Sequence, residues 1–301
     1  MNNNQFSHYP VLYREVLQFL QPETKKCVVD CTLGLGGHAE KIIARMPDGG
    51  AYLGLDKDSV SVAQAARRIG TEGAVAREFI QTDFSRIDEV LGQRRIPQVD
   101  GVLFDLGISS FQLADAERGF SFLQDGPLDM RMDQNSFLSA YDLVNNLSEK
   151  ELTQIFRRFG EERFASRIAH RIVAERKKTP FYSTAQLAEF VAQSVPSKYR
   201  FGRIHPATRV FQALRIAVNR ELEAIETGVR RAVELLAPGG RIVVISFHSL
   251  EDRIIKHMFR AFAGQELVHI LTKKPVVPGE GEIAENPRSR SAKLRAAEKS
   301  A

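Results

Sequence analysis

The stretch Val28-Val29-Asp30-Cys31-Thr32-Leu33-Gly34-Leu35-Gly36-Gly37-His38-Ala39 constrains this chain more than any other, because it reads as a buried strand, a glycine-rich turn and a helix start. Glycine allows the positive φ angles of a tight turn and lets a ligand approach without meeting a β-carbon. The first free N–H groups of the helix face the same spot. Twenty residues after Gly36, the apolar run Ala51-Tyr52-Leu53-Gly54-Leu55 ends in Asp56. A doubly wound sheet places there the carboxylate that holds ribose hydroxyls, so a nucleotide-like ligand is implied.

Several ligands use such turns. A P-loop needs Gly-Lys-Ser/Thr after its glycines, and Gly37 is followed by His38-Ala39, which argues against a nucleoside triphosphatase. Gly34, Gly36 and Ala39 satisfy a loose G-x-G-x-x-A, which by itself does not separate an NAD site from an S-adenosylmethionine site. A turn that merely joins strand to helix is the third alternative.

Apolar runs at Cys27 to Asp30, Ala51 to Leu55, Glu78 to Gln81, Val99 to Phe104 and Arg241 to Ser246 predict strands. Between the first three, Ala39 to Met46 and Ser59 to Ile69 carry helical spacing, so the sheet is expected to be mostly parallel with right-handed crossovers. Ligands then bind outside the carboxyl ends, where the glycine turn, Asp56, Asp83-Phe84 and Asp105-Leu106-Gly107 collect.

The alternation stops after Asp105 and resumes at Leu236-Ala237-Pro238-Gly239-Gly240-Arg241, which predicts an insertion. Its middle offers Ser148 and Glu151 as a capping box, then helical patterns near 149–159, 162–177 and 184–194. A long amphipathic helix is expected from about Val210 to Leu236, and an antiparallel hairpin from Leu267 to Thr272 with Ser291 to Ala297. At 301 residues the chain suits a large α/β domain plus a smaller one.

Charge is unevenly placed. Residues 150–215 hold fourteen Lys/Arg against five Asp/Glu, a local +9 in a chain of net +5, so the remainder sums to −4. With Phe156, Phe159, Phe164, Tyr182, Tyr199 and Phe201 nearby, this resembles a footprint for a polyanion with stacking rings. The bland alternative is equally concrete: rings at helical spacing belong to a core, and charge runs are solvated faces.

No apolar run approaches a membrane span, and Met1 to His8 lack a basic and apolar leader pattern, so a cytoplasmic protein is expected. The only cysteines, Cys27 and Cys31, share one strand face as small apolar residues, and no metal site is expected.

Eight collinear blocks from about residue 8 to 298 permit a closer comparison: His8-Tyr9-Pro10-Val11-Leu12, Gly34-Leu35-Gly36-Gly37-His38, Asp105-Leu106-Gly107-Ile108-Ser109-Ser110, Glu117-Arg118-Gly119-Phe120-Ser121-Phe122, Gly126-Pro127-Leu128-Asp129-Met130-Arg131-Met132-Asp133, His205-Pro206-Ala207-Thr208-Arg209, Ser246-Phe247-His248-Ser249-Leu250-Glu251-Asp252-Arg253 and Glu285-Asn286-Pro287-Arg288-Ser289-Arg290-Ser291. Together they resemble the RsmH (MraW) family, bacterial enzymes that methylate the exocyclic N4 amine of a cytidine in the decoding centre of 16S ribosomal RNA. The resemblance implies a Rossmann-like S-adenosylmethionine-dependent α/β methyltransferase core, 1–112 with 206–301, and a mainly helical substrate-recognition domain inserted at 113–205.

It further implies that Gly36, Gly37, His38, Asp56, Phe84, Asp105 and Gln112 hold S-adenosylmethionine. Asp105, with His248 or Ser249 on the acceptor side, would serve the chemistry, and Arg118, Arg131, Arg203, His205, Arg209, Arg288 and Arg290 would contact RNA. Thr82-Asp83 departs from the family pattern before Phe84, which puts Asp83 in doubt. The implied reaction is an in-line displacement governed by positioning, with an acceptor that orients the amine and takes its proton. Many amino-methyltransferases carry an Asp/Asn-Pro-Pro-Tyr/Phe loop where this chain has Asp105-Leu106-Gly107-Ile108, so the residues alone do not point to an amine. The implied partner is 16S ribosomal RNA in a nearly assembled small subunit, with no membrane partner and a homodimer left open. A methyltransferase with another acceptor, an RNA-binding assembly factor with a vestigial site and an NAD-dependent oxidoreductase are the competing functions.

Overall fold

The computed structural model describes residues 9–202 and 204–301. Seven strands form one sheet: β1 (Cys27–Asp30), β2 (Ala51–Asp56), β3 (Ala76–Gln81), β4 (Val99–Asp105), β5 (Leu236–Ser246), β6 (Val268–Ile270) and β7 (Lys293–Lys299), in the order β3-β2-β1-β4-β5-β7-β6. The first five run parallel, and β7 lies antiparallel between β5 and β6. This is the Rossmann-like α/β sheet expected from the sequence, with its antiparallel end in place.

The chain divides into two compact units, residues up to Gly107 with Leu222–Ala301, and Ile108–Glu221. Numbered along the whole chain, the first unit holds helices α1 (Tyr13–Leu20), α2 (Gly37–Ile43), α3 (Ser59–Ile69), α4 (Ile87–Gln93), α12 (Glu221–Leu235, from Leu222 onward), α13 (Ser249–Gly264) and α14 (Glu280–Glu285). Both faces of its sheet are covered. Val29, Val102, Phe104, Ile242 and Val244 join one core with Ile225, Val229 and Ile255 of the helices. Val28, Leu103, Val243 and Ile245 join another with Val16, Leu20 and Ile42. Successive strand residues point to opposite faces, and both faces are apolar, so the strands read as continuous hydrophobic runs rather than alternating ones.

Pairing of β4 with β5 jumps from Val99↔Leu236 to Gly101↔Arg241. The intervening Ala237-Pro238-Gly239-Gly240 is the predicted turn, accommodated as an irregularity within the strand, with Gly239 at φ 74°.

The second unit is helical: α5 (Ser110–Ala114), α6 (Ala140–Asn146), α7 (Glu149–Gly160), α8 (Ala165–Glu175), α9 (Thr184–Ser194), α10 (Ser197–Arg200) and α11 (Ala207–Asn219). Its core gathers Leu152, Phe156, Ile168, Ile172, Leu187 and Leu214. The Ser148–Glu151 capping box starts α7 as predicted. Gly160 is where α7 meets α11: a β-carbon there would lie 2.5 Å from the Arg209 carbonyl oxygen.

The predicted single helix from Val210 to Leu236 is broken. Arg220 takes a left-handed conformation at φ 51° and ends α11. Asn219 fixes that end, donating to the Met130 carbonyl at 2.8 Å and accepting from the Met132 N–H at 2.7 Å. The α11 apolar face, with Val210, Phe211 and Leu214, belongs to the helical core. The inserted unit therefore runs from 108 to 221, where the sequence placed 113 to 205. Long-range packing of α11, invisible in local periodicity, moves the boundary.

Candidate functional site

The parallel strands β1 and β4 lie side by side at the sheet centre, and the chain leaves them in opposite directions, to β2 from one and to β5 beyond the other. This is the switch point where an open α/β sheet makes its ligand crevice, at the carboxyl ends. Asp30, Asp56 and Asp105 are the last residues of β1, β2 and β4.

The glycine turn follows β1. Gly34 (φ 51°) and Gly36 (φ 78°) both take the left-handed conformation, and Gly36 is the N-cap of α2. A β-carbon on Gly36 would lie 2.5 Å from the Ile69 Cδ1, so the turn admits no side chain there. The Gly34 N–H donates to Asp56 Oδ2 at 2.8 Å, and the Asp58 N–H donates to Asp56 Oδ1 at 2.9 Å. One carboxylate thus ties the turn after β1 to the end of β2 and keeps a further lone pair on each oxygen for a ligand hydroxyl. Burial pushes the Asp56 carboxyl up to about 6, with the two backbone donors opposing.

Beneath this lies a network that the sequence pattern alone did not single out. Asp30 is 1% exposed and accepts from Tyr52 Oη at 2.8 Å and from the Thr32 N–H at 3.0 Å. Thr32 Oγ1 accepts from the Asp105 N–H at 2.5 Å. Burial raises the Asp30 carboxyl above its ordinary value, opposed by Tyr52 and Thr32. The signal was present in the sequence: three apolar runs each end in an aspartate, and Asp30 is the one of the three that no ligand pattern marks.

His38, in the first turn of α2, is 6% exposed, and its Nε2 lies 3.5 Å from Asp105 Oδ2. That is too far for a good hydrogen bond, and among the described residues neither His38 Nε2 nor Asp105 Oδ1, both buried, has a hydrogen-bond partner. Such atoms at the mouth of a switch point mark where a polar ligand is accommodated. The residues present therefore fit a nucleoside-type cofactor: a turn stripped of β-carbons, an anchored carboxylate and two uncommitted polar atoms.

The sequence pattern of the MraW methylase family matches residues 5–300. The chain belongs to the MraW methylase family. A ribosomal RNA small subunit methyltransferase H from Trichlorobacter lovleyi is 49% identical over 310 residues, covering 98% of this chain and 99% of its own. One from a Nostoc species is 49% identical over 298 residues, covering 98% and 94%. A crystal structure of a Streptococcus mutans methyltransferase in complex with SAH aligns at TM-score 0.46 and 8% identity over 95% of this chain and 96% of that one.

In this MraW-family chain the remaining predicted residues are placed as follows. Phe84 is half-buried and meets Phe104 edge-on at 5.4 Å, so one part of its ring belongs to the core. Asp83 accepts from the Ser85 N–H at 2.7 Å and pairs with Lys57 at 2.6 Å. Burial would raise its carboxyl, but Lys57 outweighs that and holds it low, which gives Asp83 a structural role. Gly37 adjoins Pro10. Gln112, in the inserted unit, closes the capping box of α5, its Oε1 accepting from the Ser109 N–H at 3.1 Å.

His248 is the N-cap of α13, where Glu251, fully buried, accepts from the Phe247 and His248 N–H groups at 2.8 and 3.2 Å. The His248 Nδ1 faces the Glu251 N–H at 3.4 Å, which serves the helix start, while its Nε2 is a buried atom with no hydrogen-bond partner among the described residues, and Ser249 beside it is exposed.

The expected RNA contacts divide sharply. Arg118 is 3% exposed and donates to the carbonyls of Arg131 and Met132, both at 3.0 Å. Arg131 forks onto Asp129 and donates to the carbonyls of Gln134 and Ser136. Both hold the turn-rich segment together, Arg118 from a buried position and Arg131 from a partly exposed one. His205 is exposed and packs on Phe122 at 4.8 Å, while Arg209 reaches the Glu161 carbonyl. Arg288 and Arg290 are exposed on the turn Pro287–Ser291. Arg203 and His8 lie outside the described residues.

Of the candidate stacking rings, Phe156, Phe159, Phe164 and Tyr199 belong to the helical core, whereas Tyr182 (60%) and Phe201 (84%) are exposed. A cavity of about 460 Å³ in the inserted unit is lined by Asp129, Arg131, Tyr141, Asp142 and Tyr182. Its charged groups already serve Arg131–Asp129 and Ser139–Asp142 contacts, so it presents no catalytic set. The cysteines pack into the sheet core, and burial pushes the Cys27 thiol up to about 11, so it is not a nucleophile. Among the described residues no helix is long and apolar enough to cross a membrane.

Proposed function

We propose that this chain transfers a methyl group from S-adenosylmethionine to RNA of the small ribosomal subunit, and that the acceptor is the N4 amine of a cytidine in the decoding centre of 16S ribosomal RNA. The observation that carries this reading is the full-length match to relatives named ribosomal RNA small subunit methyltransferase H. Such a protein works where ribosomes are assembled, in the cytoplasm.

The cofactor, when bound, supplies an electrophilic sulfonium methyl. The chain's own part is positioning. Asp56 accepts the ribose hydroxyls, the Gly34–Gly37 turn gives the backbone close approach, and Phe84 offers a ring face to adenine. Asp105 orients an N–H donor, either the acceptor amine or the methionine ammonium, through the oxygen that has no partner among the described residues. A cytosine amine is a weak nucleophile because its lone pair is delocalised, so orientation and removal of its proton are what the site must provide. Discrimination of one cytidine comes from the fit of an extruded base and its neighbours, not from charge.

The experiment is transfer of radiolabelled methyl from S-adenosylmethionine to small subunits taken from a strain lacking this protein, followed by nucleoside analysis. N4-methylated cytidine is expected. Label in another nucleoside keeps the RNA and discards the target, and label in protein overturns the acceptor class. Stabilisation against heat by NAD rather than S-adenosylmethionine would revive the oxidoreductase reading.

A further inference from the structure

Among the described residues, both units hold arginines paired with carboxylates and arginines that form no such pair. In the sheet unit, Arg68 pairs with Glu40, Arg86 with Glu89, Arg231 with Asp88, Arg241 with Glu298 and Arg295 with Asp252, all within 2.8 Å. At the α7–α8 turn of the helical unit, Arg157, Arg158, Arg163 and Arg167 are exposed, and Arg209 of α11 joins them by donating to the Glu161 carbonyl at 3.1 Å. Among the described residues none of these five forms an ion pair with a carboxylate.

Their positions are fixed by other means. Arg157 Nη2 donates to Ser166 Oγ at 3.1 Å, which ties α7 to the start of α8. Arg158 and Arg163 rest over the rings of Phe159 and Phe164 at 5.2 and 5.7 Å. The buried Glu162, the nearest acid in sequence to Arg163, is occupied by Tyr199 Oη and the Phe164 N–H. Tyr199 packs edge-on against Phe164 at 4.9 Å, which brings the exposed Phe201 to the same end of the unit. Arg171 and Arg176 reach backbone carbonyls elsewhere, of Gln193 and of Val144 and Leu147.

The exposed guanidinium groups of one short turn add to a local positive potential, which a bound polyanion neutralises. We infer that the α7–α8 turn, through Arg157, Arg158, Arg163, Arg167 and Arg209, is the seat of the RNA phosphate backbone, with Phe201 available for stacking on a base. This deepens the proposed function and rests on its RNA acceptor. It adds exposed cations that the resemblance did not mark, whereas Arg118 is buried against backbone carbonyls.

The test uses the full chain with Arg158, Arg163 and Arg167 changed together to Gln, and a control with the exposed Arg45 and Arg67 of the sheet unit changed to Gln. Binding to small subunits, and to a decoding-centre RNA fragment, is measured across salt concentrations. The triple variant is expected to flatten the slope of log affinity against log salt by about two to three, one unit or slightly less for each phosphate that is no longer neutralised. The control should leave the slope unchanged, and changing the same three positions to Lys should restore most of it.

Wild-type slope and affinity in the triple Gln variant would overturn the assignment. So would lost subunit binding with an unchanged slope on the RNA fragment, which would give the patch to a ribosomal protein. A failure of restoration by Lys would also overturn it, since the effect would then be one of folding. If the wild-type protein methylates no RNA, the proposed function falls instead, and the salt series on naked RNA still reports on the patch.

Discussion

His38 Nε2, in the first turn of α2, stands 3.5 Å from Asp105 Oδ2 at the end of β4, and each residue holds a buried polar atom without a hydrogen-bond partner among the described residues. Leaving such atoms unsatisfied costs about 1–3 kcal/mol each, a cost that a bound polar group removes. The pair is thus arranged for something the protein does not itself contain. Replacing Asp105 by Ala is expected to lower turnover by about a hundredfold or more, the range of a positioned acid or base, with a smaller effect on cofactor affinity. Single-turnover transfer and calorimetric titration separate the two; full turnover with normal affinity would remove Asp105 from the reaction.

The Asp56 carboxyl, pushed up to about 6 by burial, makes cofactor affinity depend on pH. In the proposed function its anion accepts the ribose hydroxyls, so affinity should be flat above pH 7 and fall about tenfold per pH unit once the pH drops below 6. The effect on folding has the opposite sign. The folded state binds this proton more readily than the unfolded chain, so the group lowers stability above pH 6, and that loss is relieved as pH falls toward its ordinary value near 4. Calorimetry between pH 5 and 8 checks the first claim, and Asp56→Asn should show weaker binding with the dependence gone.

Tyr52→Phe removes the hydroxyl that donates to the buried Asp30 carboxylate at 2.8 Å. A loss of about 1–3 kcal/mol is expected in urea unfolding, because Asp30 stays buried with one donor fewer. Since Thr32 links Asp30 to the Asp105 backbone, cofactor affinity should fall as well.

Arg118→Lys keeps the charge and loses the planar guanidinium whose Nη2 donates to both carbonyls. A destabilisation of about 1–3 kcal/mol is expected, with no change in the salt slope of RNA binding. A flattened slope in that variant would return Arg118 to the RNA interface.

Much of this fold is written locally. The runs that became β1, β2, β4 and β5 carry enough consecutive apolar residues to identify buried parallel strands, and α3 matches its predicted bounds of Ser59–Ile69. The glycine turn and Asp56 were equally plain, because positive φ demands Gly34 and Gly36, and the strand end fixes the carboxylate. These features depend on side-chain period, backbone φ and short spacing, all of which a sequence displays directly. Others depend on what a side chain meets after folding. Arg118 and Arg167 are the same residue in sequence, yet one is buried against carbonyls and the other faces solvent. His248 became a helix cap because Glu251 lies beneath it, and the helix predicted through Arg220 broke because Asn219 found Met130 and Met132 nearly ninety residues away. Periodicity determined the elements and the turn; only tertiary packing decided which charged groups were left for a partner, since desolvation and pairing are set by neighbours distant in the chain.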